Sequence, residues 1–116
     1  MKVAVTIWGE RISPLFDASR RLLVVEIENT CIKERSHVMF DPERPSDLAR
    51  TLAALDIKVL ICGAVSLVPA KVIAAGGITL IPFITGDVNH VITAYAKGDP
   101  ITPAFIMPGC RGSGST

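Results

Sequence analysis

Two short, almost wholly apolar runs limit what this chain can fold into. Val59-Leu60-Ile61-Cys62 and Ile78-Thr79-Leu80-Ile81 are each about one strand long, and each is soon followed by a helix-starting signal. Such runs suit strands buried on both faces, as in the parallel interior of an α/β sheet. Ser66 can cap a helix from Leu67 to about Ala75, with Pro69 tolerated in its first turn and Gly76-Gly77 ending it. Pro82 closes the second run. Asp87 can then cap a last helix carrying Val88, Val91, Ile92 and Tyr95, which stops at Gly98-Asp99-Pro100.

The first half reads differently. Val3–Trp8 is a buried first strand, and Gly9–Ser19 is a loop because Gly9 and Pro14 interrupt any period. Arg20–Glu28 ends in apolar/charged alternation, Asn29-Thr30 is a tight turn, and Cys31–Phe40 returns as the other arm of an antiparallel hairpin. Asp41–Pro45 breaks the pattern with two prolines. Ser46 is a good N-cap for an amphipathic helix over Asp47–Leu55, on which Leu48, Leu52 and Leu55 recur. Right-handed crossovers place the Val59 strand beside the first strand and the Ile78 strand beyond it. The expected architecture is a single α/β domain over residues 1–100, with a mixed five-stranded sheet of order 3-2-1-4-5, strand 2 antiparallel, and three helices. Residues 101–116 are expected to form a flexible C-terminal tail.

Composition excludes several function classes. A net charge of +1, with 12 basic and 11 acidic residues interspersed, lacks the electrostatic footprint of a nucleic-acid or anionic-membrane binder. No stretch approaches the roughly 20 apolar residues of a membrane span, and the N-terminus lacks signal-peptide features, so the expected location is the cytoplasm. Three scattered cysteines, Cys31, Cys62 and Cys110, make a poor disulfide framework and fit a reducing compartment.

In open α/β sheets, ligands bind beyond the carboxyl ends of the parallel strands, near the point where the connections change direction. Three loops leave that edge here: Ile12–Asp17, Cys62–Ser66 and Phe83–His90. Free N–H groups at Ser66–Val68 and Asp87–Asn89 would face the same space and bias it toward anions. The plainer reading of Ser66 and Asp87 is that they only cap helices.

These same loops carry a family resemblance. Ile12-Ser13-Pro14-Leu15-Phe16-Asp17, Cys62-Gly63-Ala64-Val65-Ser66 and Gly77-Ile78-Thr79-Leu80-Ile81-Pro82-Phe83 through Gly86 resemble segments of the dinitrogenase iron–molybdenum cofactor biosynthesis family. That family includes NifX-like proteins and the carboxyl-terminal domain of NifB-like proteins. The closing Met107-Pro108-Gly109-Cys110 is similar to the ending of stand-alone members. The resemblance implies a ribonuclease H-like three-layer fold. It also implies non-catalytic binding or carriage of an anionic metal–sulfur cluster or its precursor, whether molybdenum–iron–sulfur, iron–sulfur or molybdenum–copper sulfide. A cluster donor or acceptor protein would be the natural partner, with no nucleic acid and no membrane.

Ser13, Asp17, Gly63, Ala64, Ser66, Thr85, Gly86 and Asp87 are the candidate cradle residues of the three loops. Cys62, His90 and Cys110 are candidate metal ligands. Thiolate is a soft donor suited to Cu(I) and iron–sulfur species, but a cysteine closing a buried strand also reads as structural. His90, in the first turn of the last helix, reads equally as a ligand and as a surface residue. Cys110 reads as a late ligand or an unused thiol. Arg11, Arg20 and Arg21 flank the first loop and could balance an anion, although arginines are usually just solvated. Phe16 is expected to plug its loop into the core.

A metal-dependent nuclease needs several carboxylates converging on Mg²⁺, and the first strand contains neither Asp nor Glu. Catalysis is therefore not expected. The remaining rivals to a carrier are a metal-free sensor of small molecules or anions in the same pocket, and a protein-interaction module using the hairpin edge.

Overall fold

The computed structural model describes residues 1–101 and 105–106. Its elements are β1 (Lys2–Trp8), β2 (Arg11–Ile12), β3 (Arg21–Glu28), β4 (Cys31–Met39), α1 (Pro45–Ala54), β5 (Ile57–Ile61), α2 (Leu67–Ala75), β6 (Thr79–Ile81) and α3 (Val88–Ala96). One mixed sheet runs β4-β3-β1-β5-β6, with β2 paired to β1 off this path. β3 is antiparallel to both neighbours, while β1, β5 and β6 are mutually parallel. With β2 set aside, this is the order expected from the sequence.

Alternation along the central strands builds two cores. Val3, Val5 and Ile7 of β1, with Val59 and Ile61 of β5, pack under Val88, Val91 and Ile92 of α3. Ala4, Leu60 and Cys62 point the other way, toward Leu48 and Leu52 of α1 and Ile73 of α2. Both faces of β5 are thus covered, which is why its sequence carries almost no polar alternation. The result is three layers: one helix, the sheet, and two helices. Among the described residues, no helix is long and apolar enough to cross a membrane.

Two local expectations need correction. The segment Gly9–Ser19 is not wholly loop: Gly9 turns at φ 64°, Ile12 and Arg11 pair antiparallel with Ile7 and Trp8, and Phe16–Ala18 form one 3-10 turn. A two-residue strand has no period to read. Ser46 does not cap α1, which starts one residue earlier at Pro45, with Arg44 at the N-cap position and no side-chain cap. Proline suits that first turn because its missing N–H would find no helical acceptor there. At the expected boundary, Ile101 is buried in the α3-side core, and the Phe105 carbonyl accepts from the Thr85 N–H at 2.7 Å.

β4 is an edge strand with exposed Lys33, Glu34 and Arg35 at its centre. Such charges discourage edge-to-edge pairing.

Candidate functional site

The carboxyl edge of the parallel strands is built by backbone-to-backbone hydrogen bonds among the three loops. β1 pairs with β3 only as far as Thr6 opposite Leu22; its last two residues pair with β2 instead. The chain then returns, with the Ser13 N–H donating to the Thr6 carbonyl at 3.0 Å. Ala64 N–H donates to Pro14 O at 3.0 Å, and Phe16 N–H donates to Ala64 O at 2.7 Å. Phe83 N–H donates to Gly63 O at 2.9 Å, and Ile84 N–H to Cys62 O at 3.0 Å. Ile12 N–H closes the circuit on Gly86 O at 3.0 Å. Phe16 is fully buried and pins the first loop from below. Ser13 and Ser19 are buried with their hydroxyls 2.6 Å apart, and Ser19 Oγ also donates to the Leu15 carbonyl.

Ser13, Asp17, Gly63, Ala64, Ser66, Thr85, Gly86 and Asp87 therefore lie along one edge, but they do not enclose one pocket. Ser66 stands at the N-cap position of α2 without capping it; its hydroxyl donates to Asp17 Oδ1 at 3.1 Å. Asp87 does cap α3, accepting from the His90 N–H at 3.2 Å, and the Val88 N–H is taken by the Glu10 carbonyl. Gly86 turns at φ 124° against the Phe105 ring. Each helix N-terminus thus already has a carboxylate of the chain itself beside it. That weakens the pull on an outside anion expected from the helix dipoles.

The candidate ligands are separated. His90 is exposed on α3. Cys62 is fully buried in the core against α1 and α2. Cys110 lies outside the described residues. Among the described residues, no three His, Cys, Asp or Glu side chains come together as a metal-ion site. The Cys62 thiol is pushed up to about 12, first by burial and then by the negative charge of Asp17.

Cys62 is accordingly expected to resist alkylation in native protein near pH 8 and to react fully once the chain is unfolded, while exposed Cys31 reacts in both. Mass spectrometry of labelled peptides checks this. The unfolded thiol ionises near pH 9 and the folded one does not, so above pH 9 the unfolded state binds fewer protons. Stability is then lost progressively from about pH 9 upward, and Cys62→Ala should flatten that slope in pH-dependent denaturation.

The cleft itself was not legible in the sequence. An open cleft of about 650 Å³ lies where β1 forks from β3. Trp8, Ser13, Leu15, Arg20, Arg21 and Met39 are among its walls. Met39 arrives through strand register, directly opposite Arg21. Trp8 is 74 % exposed at the end of β1. The arginines also divide by position. Arg35 bonds Asn89 Oδ1 at 2.5 Å, Arg44 pairs with Asp41 and Asp47, and Arg50 pairs with Asp47. Arg11, Arg20 and Arg21, all at the loop edge, form no ion pair among the described residues. The tandem Arg20-Arg21 was the one sequence signal of this cleft.

The fold recurs in solved structures. The crystal structure of PH0822 shares 22 % identity, superposes with a TM-score of 0.75, and matches over 85 % of this chain and 91 % of its own. A Methanocaldococcus jannaschii protein named for dinitrogenase shares 21 % identity, with a TM-score of 0.69 over 85 % and 90 % of the two chains. A Thermotoga protein named for NifB shares 17 %, with a TM-score of 0.65 over 84 % and 88 %. At these identities the likeness concerns the fold. No protein of curated function matches the chain. The family model described as "Dinitrogenase iron-molybdenum cofactor" matches residues 1–98, which takes in all three loops and every strand and helix, so the chain belongs to that family.

Proposed function

We propose that this protein binds and carries an anionic metal–sulfur cluster or its precursor as cargo, held in the cleft between the first loop and the start of β3. The observation that carries this reading is that Arg20 and Arg21, which form no ion pair among the described residues, share one cleft with Trp8, Leu15 and Met39. Guanidinium is weakly hydrated and presents several donors, which suits a large, polarisable sulfide anion. Apolar and thioether walls favour that anion over a small, strongly hydrated one. Family membership and the neighbours named for dinitrogenase and NifB support the same reading.

The donor chemistry fits cargo held by charge and hydrogen bonds rather than by a cage of side-chain ligands. Cys62 is too deeply buried and too firmly protonated to coordinate without rearrangement. Ser13 and Ser19 fix the loop that forms one wall, and Asp17 and Ser66 brace it from the far side. A carrier of this kind acts by binding and release, so no acid–base or nucleophilic pair is assigned to it.

The test is anaerobic loading. Apo-protein incubated with tetrathiomolybdate plus Cu(I), or with an iron–sulfur precursor, should emerge from gel filtration with a charge-transfer absorption band and stoichiometric metal. Failure of both treatments would overturn the carrier reading and favour a metal-free anion sensor.

A further inference from the structure

We propose that the rim of this same edge is a docking surface for a partner protein that presents an apolar segment flanked by acidic side chains. This surface shares Trp8, Leu15, Met39, Arg20 and Arg21 with the cleft proposed to hold cargo, so docking is tested on apo-protein with no cargo added. Of the eight exposed large apolar side chains among the described residues, six belong to this edge: Trp8, Leu15, Met39, Leu67, Val68 and Phe83. Trp8, Leu15 and Met39 share the walls of the fork, and backbone links carry the patch on from Leu15. Leu15 bridges to Ala64, Phe83 N–H donates to Gly63 O, and Leu67 and Val68 open α2 directly after that loop. Exposed apolar groups gathered this way, with polar residues around them, mark an interaction site more than scattered ones do.

Phe83 supplies an independent sign. It holds φ 63°, a left-handed conformation that costs an aromatic residue energy and a glycine none, while staying 36 % exposed. Backbone comfort does not explain an aromatic side chain there, and its exposed part is available to a partner.

Charge selects the occupant. Arg11, Arg20 and Arg21 form no ion pair among the described residues. Among the described residues, no carboxylate lines the fork beside Arg20 and Arg21; Asp17 and Asp87 lie instead at the N-termini of α2 and α3, where they take the Ser66 hydroxyl and the His90 N–H. A second copy of this chain seated fork on fork would set arginines against arginines. A flat anionic lipid surface would leave the concave fork of β1 and β3 uncovered. An apolar protein segment with acidic flanks meets both the shape and the charge.

The probes are amphipathic peptides of about 15 residues with one shared Leu/Phe face and a polar face of all Glu, all Gln or all Lys, the length matching helix-in-groove ligands. Binding is read from the fluorescence of Trp8, the only tryptophan, and from backbone amide shifts. The Glu peptide should bind at least about tenfold tighter than the Gln peptide, with strong salt dependence, and the Lys peptide should not bind. Shifts should cluster in residues 8–21, 64–68 and 83.

Leu67→Asp/Val68→Asp should lose about tenfold in affinity for the Glu peptide with the thermal midpoint kept, because acidic residues favour a helix N-terminus. Phe83→Gly should lose a similar factor while relaxing the backbone. Equal binding of the three peptides, shifts centred elsewhere, tighter binding to phosphatidylserine vesicles than to the Glu peptide, or a concentration-dependent dimer that buries Trp8 would each overturn the proposal.

Discussion

Gly63→Ala is expected to destabilise the domain by about 4 kcal/mol or more, enough to lower the thermal midpoint by about 15 °C or prevent folding outright. A Cβ at Gly63 would sit 2.3 Å from the Ser13 carbonyl oxygen and 2.7 Å from that of Pro14. Both obstacles are backbone atoms, so no side-chain rotation relieves them. The loop must move instead, and the Ala64–Pro14 and Phe16–Ala64 hydrogen bonds move with it. Phe16 would then be drawn from the core it fills. Gly9→Ala is the matched comparison: Gly9 has φ 64° but nothing within 4 Å of a Cβ, so only left-handed strain of about 1–2 kcal/mol is expected. Chemical denaturation of both variants gives the comparison directly. Equal, small losses would mean that the first and second loops are not locked together.

The second large effect concerns cargo rather than stability. Arg20→Ala/Arg21→Ala should fold normally, because both side chains are exposed and form no ion pair among the described residues. Retention of a thiometallate should nevertheless fall by about a hundredfold, the size expected from losing two charge-assisted contacts. The wild-type protein should show a matching dependence on ionic strength, losing cargo as salt screens the guanidinium groups. Equilibrium dialysis at low and high salt measures both. A double variant that holds cargo as well as the wild type would move the site away from the fork.

Much of this could be read from residues alone, and the exceptions have physical causes. The unbroken apolar run at Val59–Ile61 announced a doubly covered central strand, and the hairpin announced itself through alternation and the Asn29-Thr30 turn, whose residues both adopt positive φ. Period reading fails below about four residues, which is why β2 and the 3-10 turn were read as loop. Ser66 has the right chemistry for a cap and the right position, but a carboxylate 49 residues away in sequence claims its hydroxyl. No local rule contains that contact. The cleft depends on where β1 leaves β3 and on the register that brings Met39 opposite Arg21, with a bulge between Glu26 and Ile27 along the way. Cys62 shows the converse. Its neighbours already fixed which face it takes, but only the helices packed on that face make the thiol unreachable.

If an anionic metal–sulfur cargo is held at the fork of β1 and β3 by charge rather than by thiolate, the arginines and not Cys62 should decide how much metal the chain retains. Wild type, Cys62→Ala and Arg20→Ala/Arg21→Ala are each loaded anaerobically with tetrathiomolybdate plus Cu(I), passed through gel filtration, and assayed for metal per chain. Equal metal in wild type and Cys62→Ala, with almost none in the arginine variant, is the expected result. Metal lost with Cys62 and kept without the two arginines would contradict it.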